Sequence, residues 1–361
     1  MKHILIVDTG GTIGMVPSAS GYSPRSGVFR AALDGIGDMH HPNMPSWDFV
    51  EMDPILDSSD IAVEEWNKIG SLIAQSYERY DGFVVMHGTD TMAYTASALS
   101  FMLENLAKPV VLTGSQIPLC ELRSDGRDNL VTSMLIAAEG KVSGVSLYFG
   151  GRLLRGNRAV KYSADGMIAF TSPNSPPLAE AGIATRYFET EIRPLPTGAF
   201  HLQELKNVPI GVIKAFPGIQ FELFERIATE SLKGIVLETF GAGNIPSSGG
   251  TLLSIVEKAM RSGAIVVVCS QCLQGTVTLG AYEASSALKR AGAVSGHDLT
   301  TEAAVAKLYY LFSKGLGVDE IKVLMERDLS GELTCACPCP SGREAFLTVS
   351  SCMPYNNLRG E

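Results

Sequence analysis

Residues 4–14 read Ile4-Leu5-Ile6-Val7-Asp8-Thr9-Gly10-Gly11-Thr12-Ile13-Gly14, and this stretch constrains the fold more than any other. An unbroken run of Ile, Leu and Val is the pattern of a strand buried on both faces, as in a parallel sheet covered by helices. The run breaks at Thr9-Gly10-Gly11-Thr12, so hydroxyls and a flexible backbone fall at the carboxyl end of the strand. In open parallel sheets this is the edge where ligands bind. Glycines let backbone N–H groups approach a bound oxygen, which makes Thr12 a candidate nucleophile beside an oxyanion site. A phosphate-binding turn and a plain strand-to-loop turn fit the same residues.

Strand-like and helix-like segments alternate along the rest of the chain, which predicts a parallel α/β architecture. Expected strands are Val50–Ile55, Gly82–Met86, Pro109–Leu112 and Gly144–Phe149, then Ile210–Phe216, Gly234–Thr239 and Ala264–Ser270. Expected helices are Val63–Arg79, with Asp60 as its cap, Ala93–Leu106 and Leu130–Glu139, and in the second half segments near 221–231, 250–262, 278–291, 300–315 and 318–326. Residues 171–196 lose periodicity and turn rich in Pro, Ser and Thr. The expected organisation is an α/β catalytic domain over 1–190, a linker over 191–208, an α/β domain over 209–334 and a tail over 335–361. Each domain is expected to be a parallel-rich sheet flanked by helices.

Chemistry-bearing side chains recur at the predicted strand ends. Asp57, Ser58 and Ser59 follow one strand; as a bland alternative, such serines cap helices. Thr89 and Asp90 follow another, in His87-Gly88-Thr89-Asp90-Thr91-Met92, where Asp90 alone would read as a helix cap. Ser115 follows a third, and Lys161 lies in a polar loop or short hairpin. A neutral amine there could take a proton through Thr89 while Asp90 holds it or grips a substrate ammonium. The Gly-, Ser- and Pro-rich loop from Met15 to Gly27 carries Tyr22 and Arg25, and it suits a lid or a mobile surface loop equally.

The net charge of −9 argues against a nucleic-acid backbone as partner. No signal-peptide pattern precedes the first strand, and no apolar stretch is long enough to span a bilayer. Seven cysteines without a signal peptide fit reduced thiols in a cytosol. Cys335, Cys337 and Cys339 have C-x-C-x-C spacing, not the paired C-x₂-C of a zinc site, and carry no expected metal. A nucleotide role for Gly10-Gly11 lacks both G-x-G-x-x-G and G-K-[ST].

These residues resemble the L-asparaginases of the bacterial type, most closely the cytoplasmic type I group. The signatures are Asp8 to Gly14, His87 to Met92, Thr113-Gly114-Ser115-Gln116-Ile117-Pro118, Leu122 to Asn129, Asn157 to Asp165 and Gly241-Ala242-Gly243-Asn244, within a likeness covering about residues 2–334. The resemblance implies hydrolysis of L-asparagine to L-aspartate and ammonia, with weak glutaminase activity and no metal or organic cofactor. It implies Thr12 as nucleophile, Thr89, Asp90 and Lys161 as the supporting triad, and Tyr22 closing over the site near Thr12. Ser58 and Asp90 would hold the substrate's α-carboxylate and α-ammonium, helped by Asp57 and Ser59, and the N–H groups of Gly11 and Thr89 would serve the oxyanion.

A cytoplasmic homotetramer, built as a dimer of dimers, is also implied, with Asn244 and Tyr282 completing a neighbour's site. Some members bind asparagine at a second pocket through an Arg and a Thr, where this chain has Glu238 and Val160. A carboxylate there repels an effector's carboxylate, so this response is expected to be absent or altered. An amidotransferase subunit and a non-catalytic amino-acid sensor on the same fold are the competing readings.

Overall fold

The computed structural model describes residues 2–19, 21–246 and 251–334. The expected tail 335–361, with its closely spaced cysteines, lies outside the described residues.

Strand β1 (His3–Gly10) is an interior strand of the first sheet, flanked on both sides by parallel neighbours. Ile4, Leu5, Ile6 and Val7 are each at most 1% exposed, because alternate side chains enter cores on opposite faces. The chain then forms a hairpin, β2 (Met15–Ser18) and β3 (Gly21–Pro24), followed by helix α1 (Val28–Asp34). The loop expected over 15–27 is thus partly a paired ribbon, with Val16 opposite Ser23 and Pro17 opposite Tyr22. Antiparallel pairing satisfies backbone groups whatever the side chains, which is why a ribbon of Pro, Gly and Ser mixed with a few apolar residues carries no alternating hydrophobic signal.

Strand β4 (Ser46–Leu56), helix α2 (Val63–Ser76), strand β5 (Gly82–Met86) and helix α3 (Met92–Met102) come next. Glu65, rather than Asp60, tends the start of α2: its carboxylate reaches back to the Ala62 N–H at 3.1 Å. A short strand β6 (Leu103–Glu104), strand β7 (Pro109–Thr113), helix α4 (Gly126–Glu139) and strand β8 (Gly144–Phe149) follow. The chain doubles back through β9 (Arg152–Arg155), the small ribbon β10 (Val160–Lys161) and β11 (Phe170–Thr171), then β12 (Ala179–Ala181), β13 (Thr185–Tyr187) and β14 (His201–Leu202).

The sheet order is β13-β12-β9-β8-β7-β5-β1-β4. It is parallel from β8 to β4 and antiparallel beyond β8. Leu5, Val7, Phe83, Val85, Val110 and Leu112 face α2 and α3, whereas Ile4, Ile6, Val84, Met86 and Val111 face α1 and α4.

A second sheet, order β15-β16-β17-β18, is wholly parallel. Its chain order is β15 (Ile210–Lys214), helix α5 (Glu225–Glu230), β16 (Gly234–Thr239), helix α6 (Thr251–Arg261), β17 (Ile265–Ser270), helix α7 (Glu283–Arg290), β18 (Val294–Ser295) and helices α8 (Thr301–Ser313) and α9 (Val318–Met325). Helix α7 starts later than the expected 278 because the Ser285 hydroxyl accepts the N–H groups of Gly280 and Tyr282 and fixes a turn there.

Helix α8 ties the two sheets together, with Tyr310 stacked on Phe101 at 5.8 Å and Tyr309 edge-on to Trp66 at 5.9 Å. Behind them, Lys307 and Glu332 are both 0% exposed and paired at 2.6 Å. Glu332 also accepts the N–H groups of Leu329 and Ser330. Removing one charge strands the other in a dry interior. Lys307→Met is expected to cost about 3–5 kcal/mol, read as a lower urea midpoint; a variant as stable as the native chain would contradict this account of the pair.

Candidate active site

Three parallel strand ends meet at the carboxyl edge of the first sheet. At Gly11 (φ +87) a Cβ would sit 2.3 Å from the Gly88 nitrogen, and at Gly88 a Cβ would sit 2.4 Å from Ser58 Oγ. Only glycines allow the turns after β1 and β5 to approach each other, and Ser58 just past β4, this closely. Thr12 and Thr89 thus flank one point of contact between two backbones. The Thr12 hydroxyl makes no hydrogen bond to the described residues and is partly exposed.

The triad expected around Thr89 is assembled. Lys161 Nζ donates to Thr89 Oγ1 at 2.8 Å and to Asp90 Oδ1 at 2.6 Å. Thr89 Oγ1 in turn lies 3.4 Å from Gln116 Oε1, and Gln116 Nε2 donates to the Gly166 carbonyl. Lys161 is carried by the β10–β11 ribbon, where it pairs with Phe170, and its side chain is only 19% exposed. Asp90, by contrast, is 65% exposed and open to an incoming cation.

Sequence reasoning missed what fixes this edge. His87 is fully buried, its Nδ1 is 2.7 Å from the Gly88 carbonyl, and its Nε2 is 2.8 Å from Thr95 Oγ1. A carbonyl only accepts, which assigns the proton to Nδ1 and leaves Nε2 to accept from the Thr95 hydroxyl. Thr95 Oγ1 accepts the Trp66 indole N–H at 3.0 Å. Asp125 accepts the N–H groups of Gln116 and Ile117, and Asn129 donates to the Gly114 carbonyl, which holds the turn bearing Ser115.

Other expected residues fall differently. The Gly11 N–H donates to the Leu56 carbonyl at 3.1 Å, so it is not free for an oxyanion, a correction to the expected role. The Thr89 N–H meets no acceptor among the described residues although Thr89 is 5% exposed, and it remains available. Tyr22 is half exposed, and its hydroxyl donates to Glu121 at 2.8 Å rather than to Thr12. Asp57 spends its carboxylate on Ser59, whose N–H and hydroxyl both donate to it at 2.9 Å.

Ser58 is 3% exposed with Oγ against Gly88, and its carbonyl accepts the Thr91 hydroxyl. Ser115 is 1% exposed with a hydroxyl that has no hydrogen-bond partner among the described residues. Asn244 and Tyr282 belong to the second unit: Asn244 bridges Phe240 through its backbone, and Tyr282 is exposed at the start of α7. Within one chain no hydrogen bond joins either to Thr12, Thr89 or Ser58.

Val160, Lys161, Tyr94, Glu238, His297 and Glu302 line a cavity of about 230 Å³ next to this edge. Glu238 accepts the Thr301 hydroxyl at 2.6 Å and lies 3.7 Å from Lys214 Nζ. Burial, with Glu238 adding, pushes the Glu302 carboxyl up to about 7. Among the described residues no three His, Cys, Asp or Glu side chains converge on one point that would hold a metal.

Comparison with known proteins fits this geometry. The domain model "Asparaginase, N-terminal" matches residues 3–193, and "Glutaminase/Asparaginase C-terminal domain" matches residues 209–325. L-asparaginase I from Vibrio cholerae superposes with a TM-score of 0.86 at 46% identity, over 92% of this chain and 99% of that one. The thermostable L-asparaginase from Thermococcus kodakarensis gives 0.84 at 33% identity, over 92% and 100%. The fold is therefore that of the two-domain asparaginases. L-asparaginase 1 of Escherichia coli is 46% identical over 333 residues, 92% of this chain and 98% of its own length. The chain belongs to the asparaginase family, in its bacterial type I branch.

Burial holds the His87 imidazole down at about 4, below its ordinary 6.5. A depressed histidine contributes stability that is present above pH 6.5 and is lost as the pH falls toward 4, when the unfolded chain binds the proton and the folded chain does not. The expected loss is about 3 kcal/mol. Thr95→Val leaves the Trp66 N–H and His87 Nε2 without partners and is expected to cost about 2–4 kcal/mol. Urea unfolding from neutral to acid pH checks both; an unchanged Thr95→Val midpoint would exclude the buried chain.

Proposed function

We propose that this protein hydrolyses the side-chain amide of L-asparagine to L-aspartate and ammonia, with Thr12 as nucleophile. The observation that carries the reading is the Lys161–Thr89–Asp90 cluster beside the Gly11–Gly88 contact, in a chain whose relatives are named L-asparaginases. An amide is a poor electrophile, so a site must activate a hydroxyl and stabilise an oxyanion. Thr12 attacks the amide carbon, and the C–N bond breaks with ammonia as leaving group. Water then cleaves the Thr12 ester and releases aspartate.

Lys161, through Thr89, receives and returns the proton. The Thr89 N–H faces the developing oxyanion. Ser58 holds the α-carboxylate, and Asp90 meets the α-ammonium. Ser115 and Asp57 shape this end of the pocket, and Tyr22 leaves Glu121 to close over bound substrate. Glutamine is longer by a methylene, which a pocket discriminates by about 1–3 kcal/mol, so weak glutaminase activity is expected.

We also assign a homotetrameric, cytoplasmic enzyme in which Asn244 and Tyr282 complete a neighbour's site. Val212, Phe216, Leu223 and Ile227 lie exposed around the edge strand β15, which supports self-association. No helix among the described residues is long and apolar enough to cross a membrane.

The test is ammonia release from L-asparagine and L-glutamine. Thr12→Ala is expected to lower kcat at least about 10³-fold, and Lys161→Met about 10²- to 10⁴-fold. A Thr12→Ala variant at native rate would refute the nucleophile. Because Glu238 and Val160 occupy the neighbouring cavity, the rate against asparagine concentration is expected to be hyperbolic. A sigmoidal curve that Glu238→Ala abolishes would contradict this.

A further inference from the structure

We propose that Asp8 is a positioning residue for the amide hydrolysis inferred above, its carboxyl group setting the backbone turn from which Thr12 is presented. The pairing of β1 with β4 slips here: Asp8 lies opposite Glu51, but Gly10 lies opposite Leu56. Such a slip takes a backbone donor out of the ladder. Asp8 Oδ1 supplies the missing acceptor, taking the Gly10 N–H at 2.9 Å. Gly10 (φ +103) packs against the Leu56 carbonyl, only 2.3 Å from where a Cβ would stand, and the next N–H, of Gly11, donates to that same carbonyl. Asp8 thus fixes Gly10, Gly10 and Leu56 fix Gly11, and Gly11 against Gly88 fixes where Thr12 begins.

The group is costly to keep. Asp8 is 1% exposed, and its Oδ2 has no hydrogen-bond partner among the described residues. Burial pushes the carboxyl up to about 7, against the pull of the Gly10 N–H and with a further push from Glu51. The elements packed on β1 carry Asp48, Glu51 and Asp53 on β4, none on β5, Arg30 and Asp34 on α1, Glu64, Glu65 and Lys68 on α2, Tyr94 on α3, and Arg127, Asp128 and Glu139 on α4; of these Glu51 alone acts perceptibly on Asp8. A carboxyl raised in this way contributes stability while protonated, and loses it as the pH rises through about 7.

The experiment compares native chain, Asp8→Asn and Asp8→Ala for ammonia release and thermal unfolding. Asparagine keeps the Oδ1 acceptor and cannot ionise; alanine removes the acceptor. Asp8→Ala is expected to lower kcat tenfold or more, to about a hundredfold, with KM little changed, since misplacing a reacting group costs rate at that scale. Asp8→Asn is expected to restore kcat to within about threefold of native, as the retained acceptor requires. From about pH 5 to about pH 8 the native melting temperature should fall relative to that of Asp8→Asn.

If Asp8→Ala does not fold, Asp8→Val, closer in volume, replaces it. Full kcat in the alanine or valine variant, or equal losses in it and in Asp8→Asn, would overturn the proposal, as would parallel melting temperatures for native and Asp8→Asn. A native chain that releases no ammonia would instead overturn the hydrolase reading, and this inference with it.

Discussion

The active edge depends on one close approach. The turns after β1 and β5 touch at Gly11 and Gly88, and Ser58 after β4 closes against the same spot. Nothing larger than hydrogen fits at either glycine. Parallel pairing of β4, β1 and β5 delivers all three strand ends to one edge of the sheet, so the threonines after those glycines start from one point of backbone contact without any long-range search by flexible loops.

The polar groups around this contact are divided by burial. Thr89 and Ser58 are nearly sealed, Lys161 is mostly covered, and Asp90 is open. A sealed hydroxyl held by an amine keeps its geometry, while an exposed carboxylate can change partners when a cation arrives. Behind them, the Trp66–Thr95–His87 chain uses a neutral imidazole as a rigid connector between helix α2, helix α3 and the Gly88 carbonyl. Such fully satisfied networks hold a backbone precisely because every broken bond leaves a buried group unpaired.

Much of the sheet was legible in the sequence because parallel strands covered on both faces read as unbroken apolar runs; Gly82–Met86 is one such run and matches β5 to the residue. The Thr89–Asp90–Lys161 cluster was legible only as a motif match, since Lys161 lies 71 residues beyond Asp90 and no local periodicity links them. The β2–β3 ribbon was not legible, because it pairs through the backbone and its Pro, Gly and Ser break any alternating pattern. Nor was the supporting role of His87, which depends on Trp66 reaching Thr95 across 29 residues. The bonding of Tyr22 to Glu121 and of the Gly11 N–H to Leu56 likewise joins segments distant in sequence, and the second takes the Gly11 N–H away from the oxyanion role that the motif alone suggested.

The central claim is that Thr12 carries the substrate's acyl group. The most direct measurement mixes the protein with L-asparagine, quenches in acid within the first turnover and locates any aspartyl ester by peptide mass spectrometry. The account requires the ester on Thr12, accumulating further in Lys161→Met if the proton relay also serves deacylation. An ester on Thr89, or aspartate formed with no ester on any threonine, would contradict it.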